Sequence, residues 1–84
     1  MTATEFARLG FIAESLERQL PSRLYYPGSH RGQSWRTMLG VDSALAEPTV
    51  GAETLREYSG MLSGQQPREP IQLLMEAALI LERR

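Results

Sequence analysis

The chain of 84 residues contains no cysteine and no lysine, and it has only one histidine and one tryptophan. Without cysteine it can form neither a disulfide nor a thiolate metal site, and a secreted domain this small usually needs such cross-links. A single histidine also falls short of the converging ligands that a zinc site requires. These absences favour a cytoplasmic protein without a metal or other cofactor.

Long apolar runs are missing as well. The first twenty residues carry three glutamates where a signal peptide has its apolar segment, and no stretch approaches the roughly 18 apolar residues of a membrane span. The phosphate-binding patterns GxGxxG and GxxxxGK[ST] are also absent. His30 would be the only histidine base, and its glycine-rich surroundings are no rigid frame for a catalytic triad. We therefore expect a soluble protein that is not an enzyme.

The composition predicts a chain that folds. Its residues are 42% hydrophobic and its net charge is −1, whereas disordered chains combine low hydrophobicity with a large net charge. The length suits a single domain, residues 1–84. All nine basic residues are arginines, and residues 18–41 hold four of them plus His30 with no acid, while residues 42–82 hold seven acids and two arginines. One segment is therefore basic and the remainder acidic.

Hydrophobic spacing predicts two amphipathic helices. In the first, over about residues 3–20, Thr2 and Glu5 have the spacing of a capping box and Pro21 ends the helix. Its apolar positions recur every three or four residues and form one stripe: Phe6, Leu9, Ile12, Ala13, Leu16 and Leu20. The second helix is capped by Thr49 and ends at Ser63-Gly64. Its apolar face is expected to comprise Leu55, Tyr58, Met61 and Leu62.

The third predicted helix is apolar over most of its circumference. It starts near Pro70 and continues through IQLLMEAALIL, with one narrow polar strip at Gln72, Glu76 and Arg83. A helix this apolar must be covered on several sides. Two interpretations follow: it is the central helix of the fold, or it also packs against another chain. For the second case we predict a homodimer whose self-association face contains Leu74, Ala78 and Leu81. The methionines Met61 and Met75 are expected to fill the core.

Between these helices the pattern predicts shorter pieces. SWRTMLG is typical of one or two helical turns capped by Ser34 and closed by Gly40, and DSALAE indicates another short piece from Asp42 to Pro48. The fold class is therefore all-α: a small bundle of three main helices with short helical turns. A Pro/Gly-containing loop separates helix 1 from the rest.

The segment LGVDSAL, residues 39–45, resembles the motif of the acyl carrier proteins. In that family an Asp-Ser pair opens the second helix and the serine carries a phosphopantetheine arm, so the resemblance implies Ser43 as the attachment site. Ala44 stands where the family has leucine, and Pro48 and Gly51 interrupt the helix that should follow. The resemblance covers seven residues only, and it is a remote alternative.

The segment RLYYPGSHRGQSW, residues 23–35, holds three of the six aromatic residues and is predicted to be a loop around Pro27-Gly28. Tyrosine, tryptophan and arginine concentrate binding energy at protein interfaces. The predicted partner-binding residues are Arg23, Tyr25, Tyr26, Arg31, Trp35 and Arg36. Taken alone, Trp35 is expected to close the helical core.

The same loop residues could instead stack on single-stranded bases and neutralise phosphates. The acidic remainder of the chain disfavours nucleic acid, so protein binding is the preferred interpretation. The sequence thus predicts a small adaptor, chaperone-like factor or regulator of bacterial or phage type. It would bind a partner protein, as a homodimer, and the alternative is a nucleic-acid-binding regulator.

Overall fold

A computed structural model describes residues 1–20, 33–65 and 67–83 of the chain. These residues form four helices and no strand, which confirms the all-α prediction. The helices are α1 (Ala3–Gln19), α2 (Trp35–Leu39), α3 (Ala52–Leu62) and α4 (Arg68–Glu82). None of the helices in the described residues is long and apolar enough to cross a membrane.

Helix α1 begins with the predicted capping box. The Thr2 hydroxyl accepts a hydrogen bond from the Glu5 backbone N–H at 3.0 Å, and the Glu5 carboxylate accepts one from the Thr2 N–H at 2.9 Å. Four positions of the predicted stripe are buried on α1, and Leu20 beyond its end is buried as well. Phe6 is partly buried against them. The spacing of apolar residues therefore identified the inward face of this helix.

Helix α2 is held by caps at both ends, as predicted. The Ser34 hydroxyl accepts from the Thr37 backbone N–H at 3.1 Å, and Gly40 follows the last turn with a φ of 72°. That left-handed conformation is one that glycine adopts without strain. Trp35, Met38 and Leu39 are completely buried, so even this short helix contributes three large side chains to the core.

The prediction of a short helical piece from Asp42 is wrong, because residues 41–51 contain bends and a turn but no helix. The Asp42 carboxylate does not cap a new helix, since it accepts a hydrogen bond from the Thr37 hydroxyl at 2.8 Å. The predicted cap of α3 is also wrong: Gly51 occupies the N-cap, and the Thr49 hydroxyl donates to the Gln33 side chain instead. Asp42 and Thr49 thus form hydrogen bonds with residues earlier in the chain, and neither caps a helix.

Helix α3 ends at Leu62, just before Ser63-Gly64, as predicted. Leu55, Tyr58 and Leu62 are buried, but Met61 is 59% exposed, so its assignment to the core is wrong. At about 100° per residue, Met61 lies about 120° around the helix from Leu55, beyond the buried arc. Ser59 is the fourth buried residue of α3.

Helix α4 packs against both α1 and α3, and α1 also packs against α2. The inward side of α4 is almost entirely apolar and consists of Pro70, Leu73, Leu74, Ala77, Ala78 and Ile80. Its own chain covers this side of α4, as a central helix requires, and the prediction that α4 also packs against another chain stays a prediction. The outward side of α4 is not part of this core.

Candidate protein-binding surface

Four of the six residues predicted to bind a partner lie outside the described residues: Arg23, Tyr25, Tyr26 and Arg31. The other two, Trp35 and Arg36, begin α2. Only these two can be placed, and both are engaged within the chain.

Trp35 lies in the core and not on a binding surface. Its side chain is 0% exposed, its indole N–H donates to the Leu20 carbonyl oxygen, and its backbone N–H donates to the Glu17 carboxylate at 3.0 Å. The ring stacks on Tyr58 with 5.9 Å between centroids and 27° between planes. Trp35 thus joins α1, α2 and α3, which confirms the expectation that this residue closes the core. The burial of Trp35 also corrects the prediction that this residue contacts a partner.

Arg36 is partly exposed but surrounded by acceptors. Its guanidinium lies 3.8 Å from a Glu14 oxygen and 3.6 Å from an Asp42 oxygen, and it donates to the Val41 carbonyl oxygen at 2.7 Å. These contacts fix the turn after α2 to α1. A ligand would have to compete with them for the guanidinium.

The predicted self-association residues are also placed differently from what a docking face requires. Leu74 is 0% exposed and Ala78 is 1% exposed, so both side chains pack in the core of their own chain, and Leu81 is partly buried against that core. The reason is that α1 and α3 cover this side of α4. Leu74 and Ala78 are therefore not accessible on the surface of the folded chain.

Three other large apolar side chains lie on the outer surface of α1 and α4. Phe11 is 53% exposed, Met75 is 52% exposed and Leu79 is 55% exposed. Met75 and Leu79 are one turn apart, on the side of α4 roughly opposite Ala77. The exposed position of Met75 overturns its assignment to the core.

A bidentate ion pair joins the two helices that carry these apolar residues. Arg8 on α1 donates to both carboxylate oxygens of Glu76 on α4, at 2.5 and 2.7 Å, and its guanidinium carbon lies 5.0 Å from the centroid of the Phe11 ring. Glu76 in turn lies between Met75 and Leu79 along α4. We name this surface, consisting of Phe11, Arg8, Glu76, Met75 and Leu79, the α1–α4 face.

Further ion pairs hold the helices around this face. Arg83 donates to Glu5 on α1 at 3.0 Å, and Arg56 on α3 pairs with Glu82. Arg8 lowers the pKa of Glu76 through its hydrogen bonds, and Glu76 raises the pKa of Arg8. The Thr2 backbone N–H, and secondly Arg83, lower the pKa of Glu5. The lowered pKa values favour the charged forms of Glu5 and Glu76, and the ion pairs of these two residues and of Glu82 tie α4 to both of its neighbours.

The α1–α4 face was missed by sequence reasoning for two different reasons. Phe11 lies outside the apolar stripe of α1, so a helical projection could have identified it as exposed. Met75 and Leu79 could not be found in this way, because α4 is apolar on nearly every side and its projection does not distinguish an inner from an outer side. Only the positions of α1 and α3 decide which residues stay exposed.

The remaining candidate sites bring few polar or reactive side chains together. Ser43 is exposed within a turn, and the long helix of the acyl carrier family does not follow it. A shallow depression at the start of α1 is lined by Met1, Thr2, Ala3, Phe6 and Ala44, and the one hydroxyl among them caps α1. Within the described residues no three histidines or carboxylates converge as metal ligands.

No protein-family model, curated protein or solved structure matches the chain.

Proposed function

We propose that this protein is a small non-enzymatic binding protein of the adaptor, chaperone-like or regulator kind, as bacteria and phages encode. It acts by occupying the surface of another protein chain, and the α1–α4 face is the surface that docks. This proposal keeps the function predicted from the sequence and moves the contact from Leu74, Ala78 and Leu81 to the outer side of the same helix.

One observation carries the proposal: Phe11, Met75 and Leu79 are each more than half exposed, and they lie on two packed helices that the Arg8–Glu76 ion pair joins. Scattered exposed apolar residues are normal on a monomer, but Met75 and Leu79 lie one turn apart on the same helix, and Phe11 lies beside the arginine that pairs with that helix. Aromatic residues, methionine and arginine are the types enriched at the centres of protein interfaces. The grouping and the residue types both favour a docking surface.

The structure around the face suits binding, since ion pairs from Arg8, Arg56 and Arg83 hold α4 to its neighbours. A surface whose backbone is already fixed loses less conformational entropy when a partner binds. The face is therefore preorganised, and the side chains of Met75 and Leu79 are the parts that still need to be ordered.

Nucleic-acid binding through residues 23–36 has less support in the described part of the chain. Trp35 has no exposed surface on which a base could stack, and the Arg36 guanidinium already lies near two carboxylates. Stacking platforms and phosphate contacts both need accessible side chains. We therefore retain protein binding as the proposed function.

Site-specific photo-cross-linking tests this proposal. A photoreactive phenylalanine analogue is introduced at Leu79, and in a matched control at Met61, which is similarly exposed but lies on α3 outside the face. In extracts of the source organism, the probe at position 79 should give a discrete protein adduct that the probe at position 61 does not. Equal labelling from both positions, or no protein adduct from position 79, would contradict the proposal.

A further inference from the structure

We propose that Met75 is a modification site, where peroxide oxidises the thioether to the sulfoxide and thereby weakens docking on the α1–α4 face. This inference rests on the proposed function and adds a regulation to the same surface. It starts from the sulfur chemistry of the chain. The sequence has four methionines and no cysteine, so thioethers are the only sulfur groups available to an oxidant.

The fold makes some of these thioethers accessible and buries another. Met38 is completely buried in the core, whereas Met61 and Met75 are each more than half exposed and Met1 is slightly less exposed. A peroxide must touch the sulfur to oxidise it, so accessibility decides which methionines react. Met75 should therefore react in the folded chain, and Met38 only after unfolding.

The reaction transfers one oxygen atom. A lone pair of the Met75 sulfur attacks one oxygen of hydrogen peroxide, the O–O bond breaks, and the proton of the attacked oxygen passes to the departing hydroxide to give water. The sulfur loses two electrons, which the peroxide gains. Methionine sulfoxide reductases reverse the step by forming water from the sulfoxide oxygen, and two thiols supply the electrons as they become a disulfide.

The position of Met75 on α4 lets the fold tolerate this change. Leu74 and Ala78 on the inner side of the helix are buried, whereas Met75 lies on the outer side with Leu79. The new oxygen therefore faces water in the free protein and leaves the packing against α1 and α3 intact. Oxidation at Met75 is thus a surface change that a reductase can undo on the folded chain.

The same change alters the α1–α4 face. Met75 and Leu79 are the apolar residues that α4 contributes to it, and a sulfoxide replaces one of them by a strongly polar group. Covering that oxygen under a docked chain costs free energy unless the partner supplies a hydrogen-bond donor. Met61 lies on α3 outside the face, so its oxidation should not affect docking.

Peptide mapping by mass spectrometry tests the modification site. When the folded full chain is treated with hydrogen peroxide, Met75 and Met61 should each gain one oxygen atom while Met38 stays unmodified. The circular dichroism spectrum should not change, and in denaturant Met38 should react as fast as the others. Oxidation of Met75 in the folded chain no faster than that of Met38 overturns the inference, as does loss of helix when Met75 reacts.

Photo-cross-linking from position 79 tests the effect on docking. The protein is treated with peroxide, freed of it and mixed with a dialysed extract of the source organism, so that the partner is not oxidised. The adduct should fall by about fivefold or more and return after treatment with the reductase. Met75→Leu keeps an apolar side chain that peroxide cannot oxidise, so its adduct should survive, whereas the control Met61→Leu should remain sensitive.

Two results would refute the regulation: an adduct that persists when Met75 is fully oxidised, or an equal loss of adduct in Met75→Leu and the wild type. Absence of the adduct before any peroxide is added is a different failure. It contradicts the proposed function, and the regulation with it, and peptide mapping still decides whether Met75 is an oxidation site.

Discussion

At the scale of single residues, Gly40 shows how closely the turn after α2 is packed. Its φ is 72°, and a Cβ added there would lie 2.5 Å from the Pro48 nitrogen and 2.7 Å from the Glu47 carbonyl carbon. These two backbone atoms cannot move aside, whereas the flexible end of a side chain could. Gly40 is thus needed both for its conformation and for its lack of a side chain.

Gly40→Ala should lower the free energy of unfolding by at least about 2 kcal/mol, since it adds left-handed strain to a steric clash. Gly64 has a φ of 89° but open space around it, so Gly64→Ala should cost only about 1 kcal/mol. Gly10→Ala, inside α1 with nothing within 4 Å, should stabilise by about 0.5–1 kcal/mol. Urea unfolding of the three variants checks this order, and a Gly40→Ala variant no less stable than Gly64→Ala would contradict it.

At the scale of elements, side-chain contacts decide how α4 is attached. Arg8 bonds both oxygens of Glu76, and Gln19 at the other end of α1 donates to Glu69 at 3.4 Å. Together with Arg83 and Glu5 these contacts run along the whole antiparallel seam between α1 and α4. The seam is exposed, so each contact stabilises modestly.

The seam gives stability a dependence on pH. The pKa of Glu76 is lowered in the folded chain by Arg8, so its contribution is present above the unfolded carboxyl pKa of about 4.3 and is lost as the pH falls through the folded value. Glu76→Gln should therefore be less stable than the wild type by about 0.2–1 kcal/mol near pH 7, with the difference disappearing in strong acid.

Chemical unfolding at several pH values between neutral and strongly acidic measures this difference. Glu57→Gln is the control, because it removes one exposed carboxylate from α3 and leaves the seam intact. A deficit of Glu76→Gln that persists unchanged in strong acid would show that Arg8 and Glu76 are not the cause.

Sequence patterns predict the ends of a helix correctly where the residues that cap it are close together in the sequence. The capping box at Thr2 and Glu5 and the caps of α2 at Ser34 and Gly40 depend on residues three to five positions apart, and all were predictable. Asp42 and Thr49 were not, since their side chains bond Thr37 and Gln33, and either could equally have capped a helix. Sequence spacing alone does not show which of two possible hydrogen-bond partners a polar side chain will choose.

At the scale of the whole molecule, α4 has two apolar sides with different roles. Leu74 is 0% exposed beneath α1 and α3, whereas Leu79 is 55% exposed on the α1–α4 face. The sequence shows that this helix is too apolar for one covered side, but only the arrangement of all the helices assigns each leucine. The inner side stabilises the fold, and the outer side is the proposed contact with a second chain.

The matched pair Leu74→Gln and Leu79→Gln, compared by denaturant unfolding of the folded chain at low concentration, tests this division most directly. Both variants replace the same residue type by glutamine on the same helix. Leu74→Gln should lose about 3 kcal/mol or more, because it puts an amide into the core, while Leu79→Gln should stay within about 0.5 kcal/mol of the wild type. Equal losses from the two variants would contradict the account.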